Sequence, residues 1–129
     1  MANPTSNRPM SPHLQVYKFI PNYVMSGVHR ITGAVMYFGT VLLAAWLIAT
    51  AMGEGAFDCV NWFFGSWLGL LVLFGYTWSL VHHMLGGLRH FGWDMGYGLE
   101  KHFAIKVATA LPFVSVCLTV LIWIVGLAV

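Results

Sequence analysis

Three stretches of this chain carry no Asp, Glu, Lys or Arg: between Arg30 and Glu54, from Cys59 to Leu88, and from Val107 to Val129. Each exceeds the roughly 20 mainly apolar residues that cross a bilayer as a helix. Inside hydrocarbon every backbone N–H and C=O must find a partner within the protein, and a helix does this within a single segment. Of the 129 residues, 59% are hydrophobic and only 8% are charged, against about 25% charged in a soluble domain. That is too little polar surface for a globule in water. The expectation is an all-α integral membrane protein, a single membrane-anchor domain over 1–129. Its transmembrane helices should lie near 28–52, 62–89 and 105–128. "GEGAFD" breaks the first from the second, and "WDMGYGLEKH" the second from the third.

The few charges orient this bundle. Arg8, Lys18 and Arg30 lie at the N-terminal side, and Arg89, Lys101 and Lys106 lie around the second connection. The first connection holds Glu54 and Asp58 and no basic residue. Basic residues collect on the cytoplasmic side, so the N-terminus, with a cytoplasmic segment 1–25, and the second connection should face the cytoplasm. The C-terminus should face the opposite side. Ser26, His29, Arg30, His82, His83, Arg89, His90 and Asp94 then all fall toward the cytoplasmic end.

Several classes drop out. A net charge of +2 with six Lys and Arg gives no basic stripe for nucleic acid. Cys59 and Cys117 lie in different segments and should not pair. No C-x-x-C-H occurs, so haem is not attached covalently. The polar, proline-bearing start "MANPTSNRPMSPHLQVYKF" lacks the design of a signal peptide. Nothing resembles a Ser/His/Asp set, a phosphate loop or a zinc pair. "GAVMYFG" and "GSWLG" bring small residues that let helices approach closely. Pro112 should bend the third helix. Three helices alone close poorly, so a partner chain with further helices is expected.

The chemistry concentrates in "LVHHMLGGLRHFGWD", residues 80–94. His83 and His90 share one helix face with Gly87 between them, and His82 and Arg89 share the adjoining face with Gly86 between. A histidine followed one turn later by glycine suits a flat cofactor, because the imidazole reaches a metal while the bare backbone lets a porphyrin lie close. Arg89 and His90 stand about 10 Å further along, from the helical rise, which is the reach of a haem propionate from its iron. Ionisable groups within a membrane helix usually mark function. Periodicity leaves three readings open: haem, a quinone or proton site, and interfacial structure. It also does not choose between His82 and His83. In "MSGVHRITG", Ser26 and Arg30 are i,i+4, and His29 borders their face. A hydroxyl and a guanidinium at a helix mouth can bind a carbonyl oxygen and stabilise charge as it is reduced. The plainer reading is a capping serine and a basic anchor. Asp94 could pair with Arg30 or Arg89, relay protons, or be a loop aspartate. His13 and His102, in water-facing segments, read as structural.

"RPMSPHLQVYKF" (8–19), "SGVHRITG" (26–33) and "HHMLGGLRHFGWDMG" (82–96) together resemble the cytochrome b membrane-anchor family of succinate dehydrogenases, over nearly the whole chain. The resemblance implies a complex with a flavoprotein subunit, an iron–sulfur subunit and a second hydrophobic anchor subunit. That complex passes electrons from succinate to ubiquinone. It implies one b-type haem between the two anchors, with one axial histidine from each. The family's axial histidine stands four residues before the glycine of its G-x-R-H motif, which falls on His83. His29, Arg89 and His90 match positions at the haem propionate edge. Ser26 and Arg30 match the quinone-site serine and arginine, and Asp94 an aspartate beside that pocket. His82 receives no role. Gly27 stands where a larger apolar residue is common, which should alter packing near the quinone. No transit-like presequence is read, which points to a bacterial inner membrane rather than a mitochondrial one. The competing readings are a fumarate reductase anchor working in reverse, a haem-free tether, and a self-contained cytochrome with His29 or His90 as second ligand.

Overall fold

A computed structural model describes residues 18–128 together with His13 and Val16. Most of the N-terminal segment, including Arg8 and most of the 8–19 motif, lies outside the described residues. Those described form four helices and no strand: α1 (Pro21–Met52), α2 (Glu54–Gly65), α3 (Trp67–Asp94) and α4 (Lys101–Ala128). Helices α1, α3 and α4 are long and apolar enough to cross a membrane, as the charge-free stretches led one to expect.

The helix ends differ from the expected bounds for local reasons. α1 begins seven residues earlier, at Pro21, a residue preset for the first helical position. α3 starts later than expected because Ser66 caps it: its Oγ accepts the Gly69 N–H at 3.1 Å. α3 also runs on through the polar motif to Asp94. α4 starts earlier, at Lys101, where both carboxylate oxygens of Glu100 accept backbone N–H groups, from His102 at 2.9 Å and Phe103 at 2.8 Å. Pro112 sits inside an α4 that stays continuous.

The first connection is itself a helix. Gly53, at φ 106°, makes a turn that side-chain-bearing residues rarely adopt. α2 then folds back, with Trp46 Nε1 donating to Asn61 Oδ1 at 3.3 Å. The other connection turns through Gly96 and Gly98, at φ 82° and 74°, and Trp93 Nε1 closes it by donating to the Gly98 carbonyl at 3.2 Å.

α3 lies against both α1 and α4, and small residues set the approach. A Cβ added at Gly39 on α1 would strike the Tyr76 ring on α3. The buried set is small: Ala49, Val81, Ala104, Ala108 and Leu111 among apolar residues, with Thr32, Ser79, His82, Ser115 and Thr119 among polar ones. Large apolar side chains such as Phe38, Leu47, Phe113 and Ile124 are exposed. That is the reverse of a water-soluble domain and fits a bundle clad in lipid and partner helices. Both cysteines are free and exposed.

Candidate functional site

The start of α1, the end of α3 and the start of α4 meet at one end of the bundle, and the polar residues gather there. Arg89 joins all three helices. Its Nη2 donates to Asn22 Oδ1 on α1 at 2.8 Å and to the Ala104 carbonyl on α4 at 3.3 Å. Its guanidinium stacks 4.2 Å over the Trp93 ring, and its Nε is buried without a partner among the described residues. Arg89 is thus turned into the three-helix junction.

His29 and His83 meet across α1 and α3. Their rings are stacked, with centroids 3.9 Å apart and planes 11° from parallel. His83 Nδ1 lies 3.1 Å from the His29 carbonyl oxygen and 3.3 Å from Thr32 Oγ1. The Thr32 hydroxyl donates to the same carbonyl at 2.9 Å. Glycines make this close fit possible. A Cβ at Gly33 would come within 3.0 Å of His83 Cε1, and one at Gly86 would run into the His29 ring. A Cβ at Gly87 would meet nothing within 4 Å, so the flank of α3 one turn beyond His83 is open. His90 stands exposed at that flank, its ring 5.4 Å from His29. His29 Nδ1 is buried without a partner among the described residues.

His82 faces the other way. It is 1% exposed, and its Nδ1 lies 3.1 Å from Ser115 Oγ on α4. Ser115 Oγ also accepts the Trp78 indole N–H at 3.1 Å and donates to the Pro112 carbonyl at 2.8 Å. The adjoining faces of the sequence motif are therefore divided: His83 turns to α1 and His82 to α4. The cavity that His82 touches, shared with Ser26, His29 and Arg89, holds about 90 Å³. That is room for a few waters and too little for a macrocycle.

Ser26 and Arg30 are both exposed on α1, on one face near His29. Asp94 is exposed at the last residue of α3. Neither Arg30 nor Asp94 makes a side-chain hydrogen bond or ion pair among the described residues, so Asp94 pairs with neither arginine here. His102 is exposed and its side chain joins none of these contacts.

Sequence reasoning did not find Thr32, Gly33, Asn22 or Ser115. Thr32 had a local signal, since a threonine three residues after His29 in a helix can bond that carbonyl. The others depend on contacts between helices.

No group of three or more His, Cys, Asp or Glu side chains among the described residues is arranged to hold a metal ion. What the polar end does offer is the His83 imidazole beside an open helix flank, with the exposed His90 further along it. The stacked His29 and His83 rings leave no gap between them.

Comparison with known proteins points the same way. Residues 4–125 match the family described as Succinate dehydrogenase/Fumarate reductase transmembrane subunit. The Succinate dehydrogenase cytochrome b556 subunit of Paracoccus denitrificans is 48% identical over 119 residues, covering 92% of each chain. The cytochrome b556 subunit of Rickettsia felis is 33% identical, covering 92% of this chain and 93% of its own. The mitochondrial Succinate dehydrogenase cytochrome b560 subunit of Mus musculus is 33% identical over 102 residues, covering 75% of this chain and 59% of its own.

Proposed function

Because the chain belongs to the succinate dehydrogenase/fumarate reductase transmembrane subunit family, we propose that it is the haem-binding anchor of a succinate:ubiquinone oxidoreductase, seated in a bacterial inner membrane. Its own residues complete a b-type haem site and a ubiquinone-reduction site together with a second anchor and an iron–sulfur subunit. A flavoprotein subunit oxidises succinate. The chain alone has no activity. The polar end of the bundle faces the cytoplasm, as its basic residues argue.

The observation that carries this reading is the division of labour at the end of α3. His83 lies on the α1 side beside an open Gly87, whereas His82 is sealed against α4. The residues fit a haem. His83 would hold its iron, the open flank at Gly87 would admit it, and the unpartnered Nδ1 of His29 and the exposed His90 would bind its carboxylates. Arg89 contributes positive charge from behind, held by Asn22 and the Ala104 carbonyl. When bound, the haem supplies a one-electron carrier whose potential the axial ligand and its hydrogen bonds set. A histidine of the other anchor would share in holding it. An apolar groove of about 770 Å³ between α1 and α3, bordered by Ile31, Phe38 and Gly75, is available to that anchor's helices.

At the rim, Ser26 and Arg30 donate hydrogen bonds to a quinone carbonyl oxygen. The guanidinium stabilises the negative charge that grows there as electrons arrive. Asp94 stands at the water-facing end of α3 and hands over a proton drawn from the cytoplasm. Quinone is confined to the bilayer and protons to water, so the rim is where both are within reach. The test is quinone turnover in the assembled complex. Arg30→Ala should lower it about 100-fold, as removal of a charge-stabilising donor does, and Ser26→Ala about tenfold. Succinate oxidation by an artificial acceptor should stay intact. Normal quinone turnover in both variants would refute the assignment.

A further inference from the structure

The hydrogen bonds around His83 determine which of its ring nitrogens carries the proton. A carbonyl oxygen only accepts, and the His29 carbonyl lies 3.1 Å from His83 Nδ1. Nδ1 must therefore bear hydrogen and donate. The Thr32 hydroxyl has already committed its own proton to that carbonyl, at 2.9 Å. What it turns toward Nδ1, at 3.3 Å, is a lone pair. The Nδ1–H group thus faces two acceptors that are themselves linked. In a neutral imidazole the lone pair then resides on Nε2, and none of the hydrogen bonds among the described residues uses that atom.

We propose that Thr32 is a positioning residue for the haem: with the His29 carbonyl it holds His83 in the Nδ1–H form and presents Nε2 to the iron. The inference rests on the haem reading above. Thr32 touches neither iron nor quinone. It is 1% exposed, on the inner side of α1, so its hydroxyl is not a surface group. Its O–H dipole is fixed with the positive end on the His29 carbonyl and the negative end on the imidazole N–H. An acceptor at the far nitrogen of a metal-bound histidine orients the ring and makes it a stronger electron donor. A more donating ligand favours ferric over ferrous iron and lowers the potential. Gly33, next in sequence, completes the seat, because any side chain there would press on His83 Cε1.

The experiment is a potentiometric titration of the haem band in the purified, assembled complex, together with the haem-to-protein ratio. Thr32→Val keeps the shape and removes the hydroxyl. The ferrous-to-ferric ratio at fixed ambient potential should rise about threefold, the weight of one modest hydrogen bond, which is about 28 mV at 59 mV per tenfold for one electron. Thr32→Ser should restore the wild-type potential. Should the valine variant fail to assemble, Thr32→Ala gives the same readout with a small void in place of a methyl. A hydroxyl-free variant that retains haem at the wild-type potential overturns the proposal. His83→Ala in the same series separates the two levels. If it keeps the haem, the haem reading itself fails. If it loses the haem while Thr32→Val holds the wild-type potential, only the role of Thr32 fails.

Discussion

The imidazole of His29 lies flat on that of His83, 3.9 Å between centroids, although 54 residues separate them in the chain. The contact exists because α1 and α3 carry glycine at the points of closest approach. Gly33 admits the His83 ring and Gly86 admits the His29 ring. Two histidines that read in sequence as separate features are thus one unit, with Thr32 bonding both.

Gly86→Ala tests that unit. The new methyl would run into the His29 ring, which is itself stacked on His83. Overpacking of this kind costs about 1–3 kcal/mol. The expected result is a lower melting temperature of the complex in detergent and reduced haem content. Gly87→Ala, facing open space in this chain, should leave this subunit's own packing unchanged and act only on what lies against that flank. Equal losses of melting temperature in the two variants would argue against the distinction.

His82 and Ser115 form a structural pair. Ser115→Ala removes the acceptor of two donors, the half-buried Trp78 indole and the buried His82 ring. Leaving a buried group unpaired costs about 1–3 kcal/mol. The variant should melt earlier yet keep the haem absorption and its potential. A change in the haem band with unchanged stability would move His82 into the cofactor site.

Arg89 ties α1 to α4 through one guanidinium nitrogen. Arg89→Lys keeps a charge but loses the planar guanidinium that carries Nη2 to both acceptors and stacks on Trp93, and Arg89→Ala removes both bonds. Hydrogen bonds from charged donors contribute about 1.5–3 kcal/mol each, so Arg89→Ala should destabilise the complex more than Arg89→Lys. Asn22→Ala should lie between the lysine variant and wild type. Thermal denaturation of the three complexes decides the order.

Glu100, in the connection outside the membrane spans, gives a pH dependence. The N–H groups of His102 and Phe103 bond its carboxylate and hold its pKa below the ordinary glutamate value, which is about 4.3. A carboxyl depressed in the folded state contributes stability that is present above its unfolded pKa and lost as pH falls through the lower folded value. The protection of the first-turn amides of α4, taken as the exchange rate relative to that of the unstructured peptide at the same pH, should therefore be full at neutral pH and fall as the pH drops below about 4. Glu100→Gln should flatten that acid response. An unchanged response would exclude Glu100 as its source.

How much of this was readable beforehand depends on the range of each interaction. The three spanning helices were plain, because charge-free apolar length is a property of a segment by itself. α2 was not: of its 12 residues, those of "GEGAFD" read as a simple break and Trp62 onward as the start of the second span. The Phe57–Phe64 spacing on one face was the available signal. The candidate residues of α1 and α3 stand out because polar and ionisable groups are rare in apolar helices. What they touch was hidden. Nothing local says that His82 meets Ser115, or that Asn22 rather than Asp94 takes Arg89. The choice between His82 and His83 rests on family likeness; the structure adds that His83 turns to α1 and His82 to α4, and the spectra described below test the assignment.

The central claim is that His83, and not His82, holds the haem. The direct measurement is the reduced-minus-oxidised spectrum of the purified complex carrying His83→Ala beside one carrying His82→Ala. The b-type band should vanish or collapse in the first and persist in the second. A full band in the His83→Ala complex would contradict the account.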